Sequence, residues 1–286
     1  MNMYQLGYKQ NLVYFNLTEK SRTILCEDLP LSEDEPTVTR EVVSFRFLGS
    51  TMIWLDITSS ITTGITPYLL SHHSSALAPG SQVKLENIMG CKNWVMLQIG
   101  RISALHKQKT QALRQGNFNC VEFEPIVADI NREIQYGISQ EAWERFNISE
   151  LNPAKDSNTL SDPTEVITNV FTSMALIYLQ LVIQGFQNLE ILDTITSAAV
   201  GTLKTQIPTH LLPALVAPLY VIGCVAKQED EQFFQKIFSS SPLLDPSLKH
   251  RGRILTILQE IWAERRTTPG YSWEGSLELA HNMLLV

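Results

Sequence analysis

Residues 162–185 read DPTEVITNVFTSMALIYLQLVIQG, and this segment predicts one long helix. Its apolar side chains recur at three- and four-residue steps, which places them along one stripe of a helix. Asp162 is a favourable N-cap, Pro163 suits the first helical position and Glu165 can close a capping box. Gly185 is a suitable stop. The segment is therefore expected to be a core helix. Its apolar stripe consists of Val166, Val170, Phe171, Met174, Ile177, Tyr178 and Leu181.

The chain on both sides of this segment shows the same helical periodicity. The nearest approach to an alternating strand pattern is NCVEFEPIV at 119–127, which Pro125 interrupts. We therefore predict an all-α fold, a multi-helix single domain. SHHSSALAPGSQ at 71–82 is predicted to be a polar loop, and SELNPAKDSNTLS at 149–161 a linker. Further helices are predicted at 39–60, 83–89, 93–112, 125–146, 189–206, 211–226, 229–239, 247–266 and 277–286.

Composition excludes several classes of protein. Of 286 residues, 44% are hydrophobic and 18% charged, as in a well-cored globular protein. The net charge is -7 and the basic residues are scattered, which argues against a direct nucleic-acid surface. No run of eighteen apolar residues and no secretory signal is present, so we expect an intracellular protein without a membrane span. Its location would be cytoplasmic, or nuclear if it is a regulator.

Standard catalytic and metal-binding motifs are absent from the sequence. We find no GxSxG, Walker loop, GxGxxG after a strand, HExxH or DDxxD-type run. The four cysteines, at 26, 91, 120 and 224, are too far apart for a metal knuckle and are expected to be small buried hydrophobes. The sequence therefore predicts no metal and no cofactor.

Three polar residues are candidates for catalysis in the first half of the chain. His72 and His73 are adjacent in the predicted loop and could bind a metal or transfer protons, although a solvated loop explains them as well. Asp56 lies inside an apolar helix, where a carboxylate must be paired or have a shifted pKa. It could bond a ligand, pair with an arginine or cap the next turn.

Aromatic residues supply the remaining candidates. Trp94 could form the wall of a ligand cavity or anchor the core. Tyr178 and Tyr220 lie in the two most apolar helices, where each hydroxyl needs a partner, either a ligand or a backbone carbonyl. For an enzyme, these patterns give Asp56, His72, His73 and Tyr178 as candidate catalytic residues. Trp94 and Tyr220 are then the candidate ligand-binding residues. His106 and His281 are expected at the surface or its boundary.

A series of short strings is spread along most of the chain. The strings are FRFL at 45–48, WLD at 54–56, TTG at 62–64, IMGC at 88–91, NWVM at 93–96, IYL at 177–179, APL at 217–219, GC at 223–224, Glu260, Trp262, Trp273 and LLV at 284–286. In this order the series resembles the C-terminal part of the regulatory domain of fungal zinc-cluster transcription factors, the subfamily typified by an acriflavine-sensitivity control protein. The resemblance covers roughly residues 40–286, and MGC-x-NW at 89–94 is its most specific piece.

Two departures from this family affect the functional expectation. The six-cysteine zinc cluster with which such factors enter the major groove is absent from these 286 residues. The early helices of the regulatory domain are unmatched as well. We therefore divide the chain into a divergent N-terminal helical segment, 1–38, and a helical domain, 39–286, that resembles the regulatory domain.

Three functional hypotheses follow. The resemblance implies a transcriptional regulator or co-regulator without its own DNA-binding domain, which binds a partner factor or senses a metabolite. A second hypothesis, slightly favoured on the sequence, is a helical scaffold that binds an apolar metabolite and catalyses a cofactor-independent cyclisation, such as a cycloaddition, by pre-organisation. The third is an assembly protein. The implied partners are an apolar small molecule, a partner transcription factor, or a second copy in a homodimer.

The interior of the protein discriminates between these hypotheses. An enclosed apolar cavity beside Asp56, Tyr178 or a loop histidine would favour ligand chemistry. A solid core with an exposed apolar patch would favour a regulator that binds a partner protein.

Overall fold

The computed structural model describes residues 36–151, 162–244, 251–281 and 283–285, with the backbone alone for 36–42 and 145–151. These residues form eleven α-helices and two short 3-10 helices, at 189–192 and 209–215, and contain no strand. The prediction of an all-α fold is confirmed. The α-helices are α1 (Pro36–Thr63), α2 (Leu70–Ala76), α3 (Glu86–Met89), α4 (Asn93–Arg114), α5 (Cys120–Leu151), α6 (Pro163–Gln184), α7 (Asp193–Thr205), α8 (Val216–Val225), α9 (Gln228–Phe238), α10 (Gly252–Thr267) and α11 (Trp273–Ala280).

Helix α6 is the centre of the fold and has the predicted bounds. The Asp162 side chain accepts a hydrogen bond from the Thr164 backbone N–H at 3.0 Å, and Pro163 occupies the first turn. Gly185, with a positive φ of 64°, ends the helix. At 22 residues α6 is long and apolar enough to cross a membrane, but 72% of its most apolar window is buried inside the protein. It is packed as a core helix of a folded domain.

The other helices pack on two sides of α6. On one side α6 contacts α4 and α5, and α4 also contacts α1 and α2. On the other side α6 contacts α7 and α8, and α10 packs against α8 and α9. Helix α11 joins the two sides, since it contacts both α1 and α10. One continuous hydrophobic core runs through all of these contacts.

The structure corrects two local predictions. Residues 70–76 form α2 rather than the start of a polar loop. The predicted helix at 277–286 instead begins at Trp273, where Ser272 caps it, and ends at Ala280. Met283 and Leu285 are buried without helical structure, and the Met283 carbonyl accepts a bond from Thr62 at 2.6 Å. Apolar composition alone does not separate a helix from a buried extended segment.

The predicted domain division lies largely outside the described residues. Residues 1–35 of the N-terminal segment are outside them, and 36–38 belong to α1. Within the predicted linker, 149–151 belong to the end of α5, and 152–161 are outside the described residues.

Candidate functional site

The fold brings the candidate residues Asp56 and His73 together. The two Asp56 carboxylate oxygens accept hydrogen bonds from the backbone N–H groups of Tyr68 and Leu69, both at 2.8 Å. These donors lie in the turn that leads into α2, where Leu69 is the N-cap residue and backbone N–H groups lack partners within the helix. His73 Nε2 is 3.2 Å from Asp56 Oδ2, without hydrogen-bond geometry. Asp56 therefore caps α2, the last of the roles considered for it.

The two neighbouring histidines point to different environments. His72 is exposed on α2, whereas His73 is fully buried against α4. A Cβ atom at Gly100 would lie 3.6 Å from His73 Nδ1, so the glycine gives the imidazole ring room. The expectation that both histidines lie in a loop is wrong, because the Asp56 cap begins a helix there. Within the described residues no three His, Cys, Asp or Glu side chains are grouped closely enough to hold a metal ion.

Tyr178 belongs to a chain of buried hydroxyl groups that joins three helices. Its hydroxyl lies 3.2 Å from Ser103 Oγ, and Ser60 donates to the same Ser103 oxygen at 2.7 Å. Ser60 is on α1, Ser103 on α4 and Tyr178 on α6. Burial raises the pKa of Tyr178, so the phenol stays protonated. The partner of Tyr178 is thus a side chain, not the backbone carbonyl that was one of the two expectations.

Tyr220 is also fully buried, on α8. Burial raises the pKa of its hydroxyl well above the ordinary value, and the neighbouring Cys224 thiol raises it further. One turn further along α8, burial also raises the pKa of the Cys224 thiol, to about 12. Both groups are therefore neutral, and neither can act as a base or nucleophile near neutral pH.

Trp94 joins α4 to α5. Its indole Nε1 donates to Glu141 Oε1 at 3.0 Å, and its ring lies so close to Gly137 that an added Cβ atom would be 2.5 Å from it. Lys92 Nζ is 3.4 Å from the same Glu141 oxygen. Trp94 is thus wedged between two helices, and it does not line either cleft described below.

Two open clefts adjoin one another on the surface at Tyr271. The larger has a volume of about 390 Å³ and the smaller about 300 Å³. Neither cleft includes any of the six candidate residues predicted from the sequence. They share Gln187, Gly270 and Tyr271, so we call them together the Tyr271 cleft. The larger part is also lined by Phe186, Lys227, Glu231, Trp262, Arg265 and Arg266, and the smaller by Lys109 and Glu274.

Arg265 and Trp262, on α10, close the end of α8 at the wall of the cleft. Arg265 Nη1 donates to the carbonyls of Cys224 and Ala226, at 2.6 and 3.2 Å, and Trp262 Nε1 donates to the Gly223 carbonyl at 2.8 Å. These acceptors are among the carbonyls that a helix leaves unpaired at its C-terminus. Gly223 and Trp262 belong to the strings that carry the family resemblance, whereas the sequence gives no signal for Arg265, since no local pattern links residues about forty positions apart.

A buried histidine and a carboxylate join α4 to α11 beside the smaller part of the cleft. His106 is buried rather than at the surface, and its Nε2 lies 3.4 Å from Glu274 Oε1. This contact with His106 lowers the pKa of Glu274 to about 2. Lys109 donates to the carbonyls of Val182 and Ile183 at 2.8 Å each, and burial lowers its pKa. Glu274 and Lys109 thus serve helix packing at this edge.

An exposed apolar patch lies on α1. We define the α1 patch as Val43, Phe45, Phe47 and Leu48, whose exposed fractions are 59, 44, 62 and 48%. Several large apolar side chains exposed within two turns of one helix are typical of surfaces that contact another polypeptide. The clefts do not include the candidate catalytic residues, and apolar side chains are exposed on α1. Both findings favour a regulator that binds a partner protein over ligand chemistry.

Comparisons with known proteins identify the class. The chain belongs to the family of the fungal specific transcription factor domain, which matches residues 25–286. It is 39% identical, over all of its length, to the pestheic acid cluster transcriptional regulator 3 of Pestalotiopsis fici. It is 25% identical over 90% of its length to the trichothecene biosynthesis transcription regulator TRI10 of Fusarium sporotrichioides. It covers 51% and 59% of these relatives, about half their length. No solved structure matches.

These comparisons overturn the expectation of an enzyme. The relatives are named as transcriptional regulators, so the hypothesis of a cofactor-independent cyclase is wrong, and the alternative of a regulator is favoured. The geometry gives the physical reason. Asp56 is used as a helix cap, Tyr178 in a hydroxyl chain and Trp94 in helix packing, so these polar groups do not converge on a shared cavity.

Proposed function

We propose that this protein is a transcriptional regulator of a fungal biosynthetic gene cluster and acts in the nucleus through contacts with other proteins. The observation that carries the proposal is the 39% identity, over the whole chain, to a regulator named for such a cluster. The alignment covers 100% of this chain, so the likeness is not confined to one motif.

The surface of the protein supports contact with proteins rather than DNA. The net charge is -7, and the sequence holds four widely spaced cysteines instead of a six-cysteine cluster. Binding to DNA phosphates requires clustered cations on the protein. These cations release the counterions condensed on the DNA, and this release supplies most of the non-specific affinity. The α1 patch instead offers apolar area of the kind buried in protein interfaces. In this proposal another polypeptide segment reads the DNA.

Deletion of the gene in its own host tests the proposal. We expect transcripts of the neighbouring biosynthetic genes to change together, and reintroduction of the full chain to restore them. Normal transcripts with the build-up of one pathway intermediate would contradict the proposal, because that result defines a missing enzyme.

A tethering assay tests the mechanism separately. The 286-residue chain is fused to an unrelated DNA-binding domain and placed upstream of a reporter gene. We expect the fusion to change reporter expression relative to the DNA-binding domain alone. A reporter that does not respond, with the fusion protein present at normal level in the nucleus, would contradict action through protein contacts.

A further inference from the structure

The Tyr271 cleft has the size and position of a small-molecule site. Its two parts, of about 390 and 300 Å³, meet at Gln187, Gly270 and Tyr271. Ligand sites in proteins usually have volumes of a few hundred to a thousand Å³. The walls come from the residues after α6, from the α8–α9 junction and from the connection between α10 and α11.

The larger part of the cleft is positively charged on a negatively charged protein. Lys227, Arg265 and Arg266 line it against a single carboxylate, Glu231, whereas the whole chain carries -7. Lys227 is paired with Asp193 at 3.0 Å and Arg266 with Glu231 at 2.5 Å. Arg265 has no carboxylate partner within hydrogen-bond distance among the described residues. Among the three cations that line the larger part of the cleft, Arg265 is therefore the one that can pair with a bound anion.

Arg265 is held in a fixed orientation that leaves part of its guanidinium unused. Nη1 is occupied by the carbonyls of Cys224 and Ala226, and the guanidinium carbon lies 5.5 Å from the centroid of the Phe186 ring. Within the described residues no protein acceptor is bonded to Nη2 or Nε. These two N–H groups have the fork geometry that binds a carboxylate through both of its oxygens.

An aromatic wall stands beside this arginine. The rings of Phe186 and Tyr271 are stacked, with centroids 5.5 Å apart and planes 10° from parallel. Both side chains are only partly buried and both line the cleft. Because each ring covers one face of the other, a flat aromatic group would meet this pair at the outer face of Tyr271 or at the ring edges.

We propose that the Tyr271 cleft binds a small aromatic carboxylate, with its carboxylate on Arg265 and its ring against Tyr271 and Phe186. The inference rests on the proposed function and deepens it, since it makes this cleft the part of the regulator that senses a metabolite. Helices α8 and α10 and the α10–α11 connection meet there, so a ligand would contact several elements of the core at once.

The test uses the full chain and two probes of nearly the same size and shape, 2-naphthoate and its neutral amide, 2-naphthamide, in which an NH2 group replaces one carboxylate oxygen. Binding is measured by calorimetry at neutral pH and low salt. We expect saturable binding of 2-naphthoate that is about tenfold tighter than that of the amide, as for a charged carboxylate–arginine contact. Equal affinity for both probes, or no saturable binding of 2-naphthoate, would overturn the proposal.

Variants assign the binding to this cleft. Arg265→Lys keeps a cation that can still bond the α8 carbonyls but removes the two parallel N–H donors. It should therefore weaken the binding of 2-naphthoate about tenfold and leave the affinity for the amide unchanged. Tyr271→Leu should weaken both probes. Arg132→Lys, at an exposed arginine on α5, is the matched control and should change neither. Thermal melts establish that each variant is folded.

The outcomes separate the two proposals. Unchanged 2-naphthoate affinity in Arg265→Lys would refute the cleft, even if the tethered chain regulates its reporter. If the tethered chain does not regulate its reporter but still binds 2-naphthoate through Arg265, the proposed function is refuted and the binding site is retained.

Discussion

Replacement of Gly137 on α5 by alanine tests the packing of Trp94 directly. The new Cβ atom would lie 2.5 to 2.7 Å from three ring atoms of Trp94, closer than any normal contact. The ring cannot simply swing away, because its Nε1 is hydrogen-bonded to Glu141, which lies on α5 together with Gly137. The added methyl group must therefore displace either the ring or the helix.

The expected magnitude combines two opposing effects. Alanine is favoured over glycine within a helix by about 1 kcal/mol, whereas overpacking a well-filled contact costs about 1–3 kcal/mol. Gly137→Ala should thus lose about 1 kcal/mol in the free energy of unfolding. Gly201 on α7 is the matched control, since nothing lies within 4 Å of its added Cβ atom. Gly201→Ala should gain about 0.5–1 kcal/mol.

The assay is urea unfolding followed by circular dichroism, with both variants and the parent chain measured side by side. In a Trp94→Leu background, the smaller side chain should make Gly137→Ala neutral or stabilising. Equal stabilisation by Gly137→Ala and Gly201→Ala in the parent chain would refute the close contact between Trp94 and Gly137.

Three further predictions concern the pH response, the α2 cap and the α1 patch. Because contact with His106 lowers the pKa of Glu274 from 4.5 to about 2, its contribution to stability is present above pH 4.5 and is lost as the pH falls towards 2. Glu274→Gln should therefore flatten this part of a plot of melting temperature against pH; an unchanged slope would contradict the contact. Asp56→Ala should cost about 1–2 kcal/mol, as for loss of an N-cap, and speed amide exchange in α2. Faster amide exchange in other helices, with the rate in α2 unchanged, would argue against Asp56 as the cap of α2. Phe47→Glu, at a side chain that is 62% exposed, should change stability by less than about 0.5 kcal/mol yet weaken the tethered reporter response. A full response would exclude the α1 patch from the interface.

Helices whose end signals are local were predictable from the sequence. Helix α6 has the predicted bounds because Asp162, Pro163 and Gly185 all lie next to it in the chain. Helix α2 was missed because its cap, Asp56, comes from twelve residues earlier, and its own residues are small and polar. A helix that depends on a distant carboxylate leaves no signal in its own sequence.

The candidate site was less predictable than the fold. The Tyr271 cleft is built from the ends of α6, α8 and α10, which approach one another only after the core has formed. Arg265 has no sequence feature that distinguishes it from Arg266, although one binds backbone carbonyls and the other the carboxylate of Glu231. The family strings did carry information, since Gly223 and Trp262 are hydrogen-bonded to each other. The missing zinc cluster and the large apolar core were a poor basis for inferring a cyclase, and that inference is wrong.

The closure of α8 by α10 has a consequence for synthesis of the protein. All ten residues of α8 are buried, and its last carbonyls receive their donors from Trp262 and Arg265, which follow about forty positions later. While the chain leaves the ribosome, α8 is therefore an apolar segment that lacks these side-chain donors until α10 has also emerged. Exposed apolar segments of this kind are bound by chaperones or aggregate. A ribosomal pause between residues 226 and 265 would prolong this exposure.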